Sequence, residues 1–144
     1  MRKILLSVFA VLLLSLIFNC STAQVKSPPI QREWMLVSFG NFTKNELVKD
    51  KAGINLTAAQ ENGKIRGSAF MGCNNMFFTS AFKNNGKVEI SGVGGTMKAC
   101  QNMELETEFS KSFQNMTKYS VEGHFLTLSD DHGNSMKFVA ADWD

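Results

Sequence analysis

Three cysteines, two histidines and eight methionines are the side chains of this 144-residue sequence whose types could carry thiol, redox or metal chemistry. Cys73 and Cys100 each sit inside a dense local motif, Gly72-Cys73-Asn74-Asn75 and Thr96-Met97-Lys98-Ala99-Cys100. Outside the cytosol, two thiols that a fold brings together become oxidised. A bridge closing that 27-residue loop would contribute roughly 3.5 kcal/mol in the chain-entropy picture, a large fraction of a small domain's stability. A structural disulfide is therefore the first reading, with buried free thiols, a thiol-exchange pair and a metal site as alternatives. Exchange chemistry is disfavoured because there is no Cys-x-x-Cys spacing and no helix start ahead of Cys73 to lower a thiol pKa. Cys73, Cys100, Met97 and His132 form a conceivable soft-ligand set for copper. However, Met71, Met76, Met97, Met103, Met116 and Met136 are scattered through strand and helix patterns, where methionine is ordinarily core filler. No metal ligand is assigned.

Catalytic constellations fare no better. His124 and His132 both fall in turn sequences, and hydrolysis would need a nucleophile, base and orienting group that no Gly-x-Ser-x-Gly elbow or comparable signature supplies. Asp130 to Asn134 offers oxygen ligands, but it lacks the longer ordered series of a calcium loop and reads as a hairpin turn. Glu104, Glu106 and Glu108 are two residues apart on a predicted helix, about 200° around its axis, and so read as helix-start charge and solvent surface. Gly92-Val93-Gly94-Gly95 lacks the Gly-Lys-Ser/Thr ending of a phosphate loop and reads as a flexible or bulged connection. Asn74, Asn75 and Thr96 are expected to satisfy backbone groups in the sharp turns around the cysteines, with the lining of a recognition pocket as the alternative.

The elements that would position these residues are mostly strands. Short runs rich in β-branched and aromatic residues recur between Gly and Asn punctuation, predicting strands near Glu33 to Phe39, Gly53 to Ala58, Lys64 to Phe70, Asn75 to Phe82, Lys87 to Ser91, Tyr119 to Glu122, Phe125 to Ser129 and Ser135 to Ala140. Glu61-Asn62-Gly63, Asn84-Asn85-Gly86 and Asp130 to Asn134 supply hairpin turns. One segment has a helical period: Leu105, Phe109, Phe113 and Met116 line one face between Asn102 and Met116, with Asn102 as N-cap. The expected fold is α+β and β-rich, a strongly bent antiparallel sheet or open barrel of about seven to eight strands with one α-helix.

Ahead of this domain, Arg2 and Lys3, an apolar run from Ile4 to Phe18 and a small polar stretch from Asn19 to Gln24 have the layout of a secretory signal peptide over residues 1–23. The run is short for a membrane span, which needs roughly 20 residues. Ser21-Thr22-Ala23 fits ordinary cleavage. Ile17-Phe18-Asn19-Cys20 resembles a bacterial lipobox, in which Cys20 would be lipidated, although Asn19 departs from the small residue usual there. Residues 24–32, with Ser27-Pro28-Pro29, read as a stiff spacer, and 33–141 as the domain. Without Arg2 and Lys3 the 15 basic residues fall to the number of the 13 acidic ones, so the exported body carries no basic field to hold nucleic acid.

Gly67, Gly72-Cys73-Asn74-Asn75 with Phe77 and Phe78, Thr96-Met97-Lys98-Ala99-Cys100, Glu106 and Phe109 on a helix, Leu126-Thr127-Leu128, and Trp34 and Leu36 at the start together resemble the META domain family. The resemblance covers roughly Glu33 to Val139. It implies a β-barrel-like α+β fold, an envelope location, and an association with stress tolerance or virulence, and it brings no catalytic residue. The expectation is thus a non-enzymatic exported envelope domain without cofactor. It would be periplasmic or anchored by lipid on Cys20, with an envelope protein or a small ligand as partner, no nucleic acid, and no other membrane contact. Binding of a small apolar ligand in a half-open barrel is one alternative, and a thiol-redox or metal-binding role is the other.

Overall fold

The computed structural model describes residues 30–143. The expected export signal, Cys20 and the spacer as far as Pro29 lie outside these residues. Eight strands form one antiparallel sheet: β1 (Glu33–Phe39), β2 (Gly53–Asn55), β3 (Ile65–Phe70), β4 (Asn75–Phe82), β5 (Val88–Gly95), β6 (Lys118–Glu122), β7 (Phe125–Ser129) and β8 (Ser135–Ala140). Their lateral order is β5-β4-β3-β2-β1-β8-β7-β6. The first strand thus lies mid-sheet, clasped by β2 on one side and by the last strand on the other.

Alternation builds one buried face. Trp34, Leu36, Ile54, Ile65, Ala69, Met76, Phe78, Leu126, Leu128, Met136 and Phe138 all point inward and are at most 4 % exposed, as the two-residue period of a strand requires. The sheet curls into a half-barrel. Its two edges touch at one end only, where Lys87 bridges Lys118, Val88 N–H donates to the Thr117 carbonyl at 3.0 Å and Tyr119 N–H to the Gly86 carbonyl at 2.8 Å. Beyond that bridge β5 and β6 are not paired with each other.

Two helices accompany the sheet, one more than the sequence reading expected. The addition, α1 (Lys44–Lys49), is a single short turn-and-a-half held by a capping box: Glu46 N–H donates to Thr43 Oγ1, and the Glu46 carboxylate accepts from Thr43 N–H at 2.7 Å. It covers the sheet with Leu47, which is fully buried. The expected helix, α2 (Glu104–Phe113), is shorter than its apolar period because Met116 is buried from the turn that follows. Its residue before the first turn is Met103, while Asn102 contributes only an Oδ1 that accepts from Glu104 N–H at 3.2 Å. Phe109 and Phe113 stack at 4.7 Å one turn apart, Phe113 meets Phe78 edge-on at 4.8 Å and Phe109 meets Phe39 at 6.2 Å. The helix therefore fills the concave side of the sheet with rings.

The glycine run 92 to 95 belongs to β5 rather than to a loose connection. Phe77 faces Gly94 and Thr79 faces Ser91, so β5 carries one extra residue, a bulge at which Gly92 takes φ +62°. Strand β2 ends three residues earlier than expected, at Asn55, whose side chain instead caps the departing chain by accepting from Thr57 N–H at 2.9 Å.

Candidate functional site

The two cysteine motifs converge beneath the start of α2. Gly72 makes the turn between β3 and β4 with φ +101°, where an added Cβ would lie 3.1 Å from Asp50. Cys73 follows, 6 % exposed, and its sulfur lies within bonding distance of that of Cys100, with Cα atoms 6.1 Å apart, inside the span of a disulfide. The segment from Thr96 to Cys100 has no regular structure and is solvent-exposed along its length.

Asn74 ties that strap down. Its carboxamide donates to the Lys98 carbonyl at 3.2 Å and accepts from Lys98 N–H at 2.8 Å, so it pairs with Lys98 as a neighbouring strand's backbone would. Its oxygen also accepts from Thr96 Oγ1 at 2.7 Å, and its second amide hydrogen goes to Glu106 Oε1 at 2.8 Å. Two donors and two acceptor sites are thus all filled. Glu106 Oε2 takes the Asn74 backbone N–H at 2.6 Å. Asn75 and Thr96 complete the junction: Thr96 N–H donates to the Asn75 carbonyl at 3.0 Å and Asn75 N–H to Thr96 Oγ1 at 3.3 Å.

Glu106 corrects the sequence reading. It was expected on the solvent surface, yet it is 9 % exposed, because three positions before Phe109 it shares the helix face that turns inward. That spacing was the available signal. Its place in the first turn also sets its negative charge at the positive end of the helix dipole. Among the described residues no buried side-chain nitrogen or oxygen lacks a partner.

The other candidates contribute nothing to this junction: Met97 lies in the strap but turns into water, and the two histidines lie elsewhere. Met97 is 98 % exposed, and among the described residues no three His, Cys, Asp or Glu side chains gather in a metal-holding group. His124 stacks on Trp143 at 4.7 Å. His132 lies in the β7–β8 turn, where Asp130 Oδ1 accepts from the backbone N–H groups of His132 and Asn134, each at 2.9 Å, and Oδ2 from the Asn134 side chain at 2.7 Å. The Asn134 side-chain bond foremost holds the Asp130 carboxyl below its ordinary range, with the two backbone donors adding to it. Asp131 is lowered, and Lys118 raised, by their mutual ion pair at 2.8 Å.

On the convex side, large apolar groups stay in water: Phe77 is 58 % exposed, and Met35 and Trp143 are each 46 % exposed. A cleft of about 320 Å³ opens there around Met35, Gly53, Phe70 and Phe77. A second, of about 400 Å³, is lined by Val37, Phe125, Val139 and Trp143 with Lys44 and Lys137. On the helix side, a cleft of about 680 Å³ is instead edged by Glu46, Glu104 and Glu108. The outer clefts were not foreseen. Their signal was the outward register of the strands, in which Met35, Phe70 and Phe77 alternate with core residues.

The family model for the META domain matches residues 27–143. No curated protein matches the chain. Among solved structures, an NMR structure of a protein from Burkholderia xenovorans is similar with a TM-score of 0.58 and 18 % identity, over 78 % of this chain and 83 % of that one. A crystal structure of a DUF4847 family protein from Bacteroides vulgatus ATCC 8482 is similar with a TM-score of 0.51 and 13 % identity, over 79 % and 95 %. These likenesses concern the fold.

Proposed function

This chain belongs to the META domain family, and we propose that it is a non-enzymatic exported envelope domain that works by contact, through the outer face of its sheet. One observation carries the reading: the polar groups of the cysteine junction are saturated by one another, whereas Phe77, Met35 and Trp143 on the outer face remain about half in water. Exposed contiguous apolar surface is where a stable domain meets partners. The concave side is filled by Phe109 and Phe113, which counts against a small apolar ligand held inside the curl. The exposed position of Cys100 leaves thiol exchange as a reading with a direct check, rapid alkylation after mild reduction.

Export and anchoring are part of the proposal and rest on residues 1–29 of the sequence. Intact-mass measurement of the exported protein should show a start at Gln24, or at an acylated Cys20, and a two-hydrogen deficit from the bridge. A product that retains the leader would overturn the envelope location. Made in a Cys20→Ala background so that no acyl anchor contributes, the triple variant Met35→Ser, Phe77→Ser, Trp143→Ser should keep its melting temperature but lose co-fractionation with envelope material. Undiminished co-fractionation would overturn the assignment of the contact face.

A further inference from the structure

The outward residues of the sheet form one lateral row. Phe70 lies opposite Gly53, Gly53 opposite Met35, Met35 opposite Val139 and Val139 opposite Phe125. Residues directly opposite one another in neighbouring strands share a face, so the row crosses β3, β2, β1, β8 and β7 without a polar interruption. Gly53 is its gap. A Cβ there would lie 2.6 Å from the Trp34 carbonyl oxygen, so the position holds no side chain, and the cleft of about 320 Å³ opens over it. The second cleft adjoins across the Met35–Val139 pair. Each is in the size range of ligand sites, and side by side along the row they form a shallow apolar trough with the Met35–Val139 pair between them.

Its margin is cationic. Lys51 lines the first cleft, and Lys44 and Lys137 line the second. The ion pairs among the described residues employ Arg32, Lys83, Lys111 and Lys118, which leaves these three lysines unneutralised. Lys137 Nζ is held 4.4 Å above the Phe125 ring, at the apolar edge. The only carboxylate in either lining, Glu33, accepts a hydrogen bond from Asn55 Nδ2 at 2.8 Å. An apolar floor with two unpaired ammonium groups at the second cleft, Lys44 and Lys137, and one at the first, Lys51, complements a molecule with a long hydrocarbon tail and a negative head.

We propose that this trough binds a single-chain anionic amphiphile of the fatty-acid class, with its carboxylate at Lys44 and Lys137 and its chain running over Met35 into the gap at Gly53. This rests on the reading of the outer face as the contact surface and supplies its ligand chemistry.

The test is calorimetric titration of the exported full-length domain with palmitate below its aggregation concentration, beside hexadecyltrimethylammonium and hexadecanol of the same chain length. Saturable binding of palmitate at one site is expected, at least tenfold tighter than binding of the cation. The pair Lys44→Glu, Lys137→Glu should reverse that order. Laurate, four methylenes shorter, should bind roughly fifteenfold more weakly, because each half-buried methylene contributes about a twofold factor. Absence of saturable palmitate binding, indifference to head charge, or unchanged affinity in both the lysine pair and Met35→Asp would overturn the proposal. If palmitate fails while envelope co-fractionation still depends on Met35, Phe77 and Trp143, the fatty-acid assignment falls and the contact face stands. If neither depends on these residues, both fall.

Discussion

Beneath α2 and across the outer face, the same sheet handles exposed chemistry in opposite ways. At the junction, a strap without regular structure is held by one side chain, Asn74, whose carboxamide fills all its hydrogen-bonding capacity on Lys98, Thr96 and Glu106. That carboxamide has no donor or acceptor left to offer a ligand. On the convex side, Met35, Phe77 and Trp143 retain about half their surface in water beside lysines without counter-ions. The residues with the most suggestive chemistry in the sequence thus hold the fold together, and plain apolar ones are left to meet other molecules. Fixed polarity specifies a structure, and unsatisfied surface specifies contact.

If that division is real, breaking the junction must cost stability and breaking the outer face must not. The largest effect is expected for Cys73→Ala or Cys100→Ala: loss of a cross-link over 27 residues should remove about 3.5 kcal/mol and lower Tm by roughly 10–20 °C, read by thermal unfolding. Equal Tm values in mutant and parent would show that the bridge contributes nothing. Asn74→Ala comes next, at about 2–3 kcal/mol, because the buried Glu106 carboxylate would lose a partner and the strap at Thr96 and Lys98 would lose its anchor. Urea titration measures it, and a loss below about 1 kcal/mol would mean that water replaces the carboxamide freely. Gly67→Ala should cost about 1–3 kcal/mol by overpacking, since the new methyl would collide with the Phe78 ring, which itself packs edge-on against Phe113.

Smaller still is the acid limb. The Asp130 carboxyl is held down by Asn134 and the turn N–H groups, so its contribution is complete above the ordinary aspartate value of about 3.9 and is lost as pH falls through the folded value. Asp130→Asn should flatten the fall of stability that the parent shows as pH drops below about 4. A parallel profile would assign the acid limb to other carboxylates. Phe77→Ser on the outer face should leave stability within about 0.5 kcal/mol and change only binding. A large loss would place that ring in the core and erase the contrast.

Much of the architecture was legible because turns and periodicity are local. Asn62-Gly63 and Gly86 sit at positive φ between strands, which the residue types announce. Helix α1 was missed for its length, since six residues cannot show a period, although the Thr43-x-x-Glu46 capping box was readable. The bulge at Gly92 was half-read: the glycines announced an irregularity, but only pairing with β4 makes the run a strand. At the site, proximity of the cysteine motifs was anticipated, and so was the structural use of Asn74. Glu106 was misplaced because the three acids were compared only with one another, whereas its three-residue spacing from Phe109 places it on the inward face. The outer groove depends on lateral register among strands distant in sequence, which no single stretch of chain encodes.

Strand β1 sits mid-sheet, flanked by β2 and by the final strand β8, so that Trp34 lies opposite Ala140, more than a hundred positions along the chain. A nascent polypeptide lacking its last few residues can therefore form the meander from β1 to β5 but not the seam that joins it to β6 and β7. High contact order at the centre postpones completion until β8 is available. Any truncation that removes β8 therefore splits the sheet down its middle instead of trimming an edge.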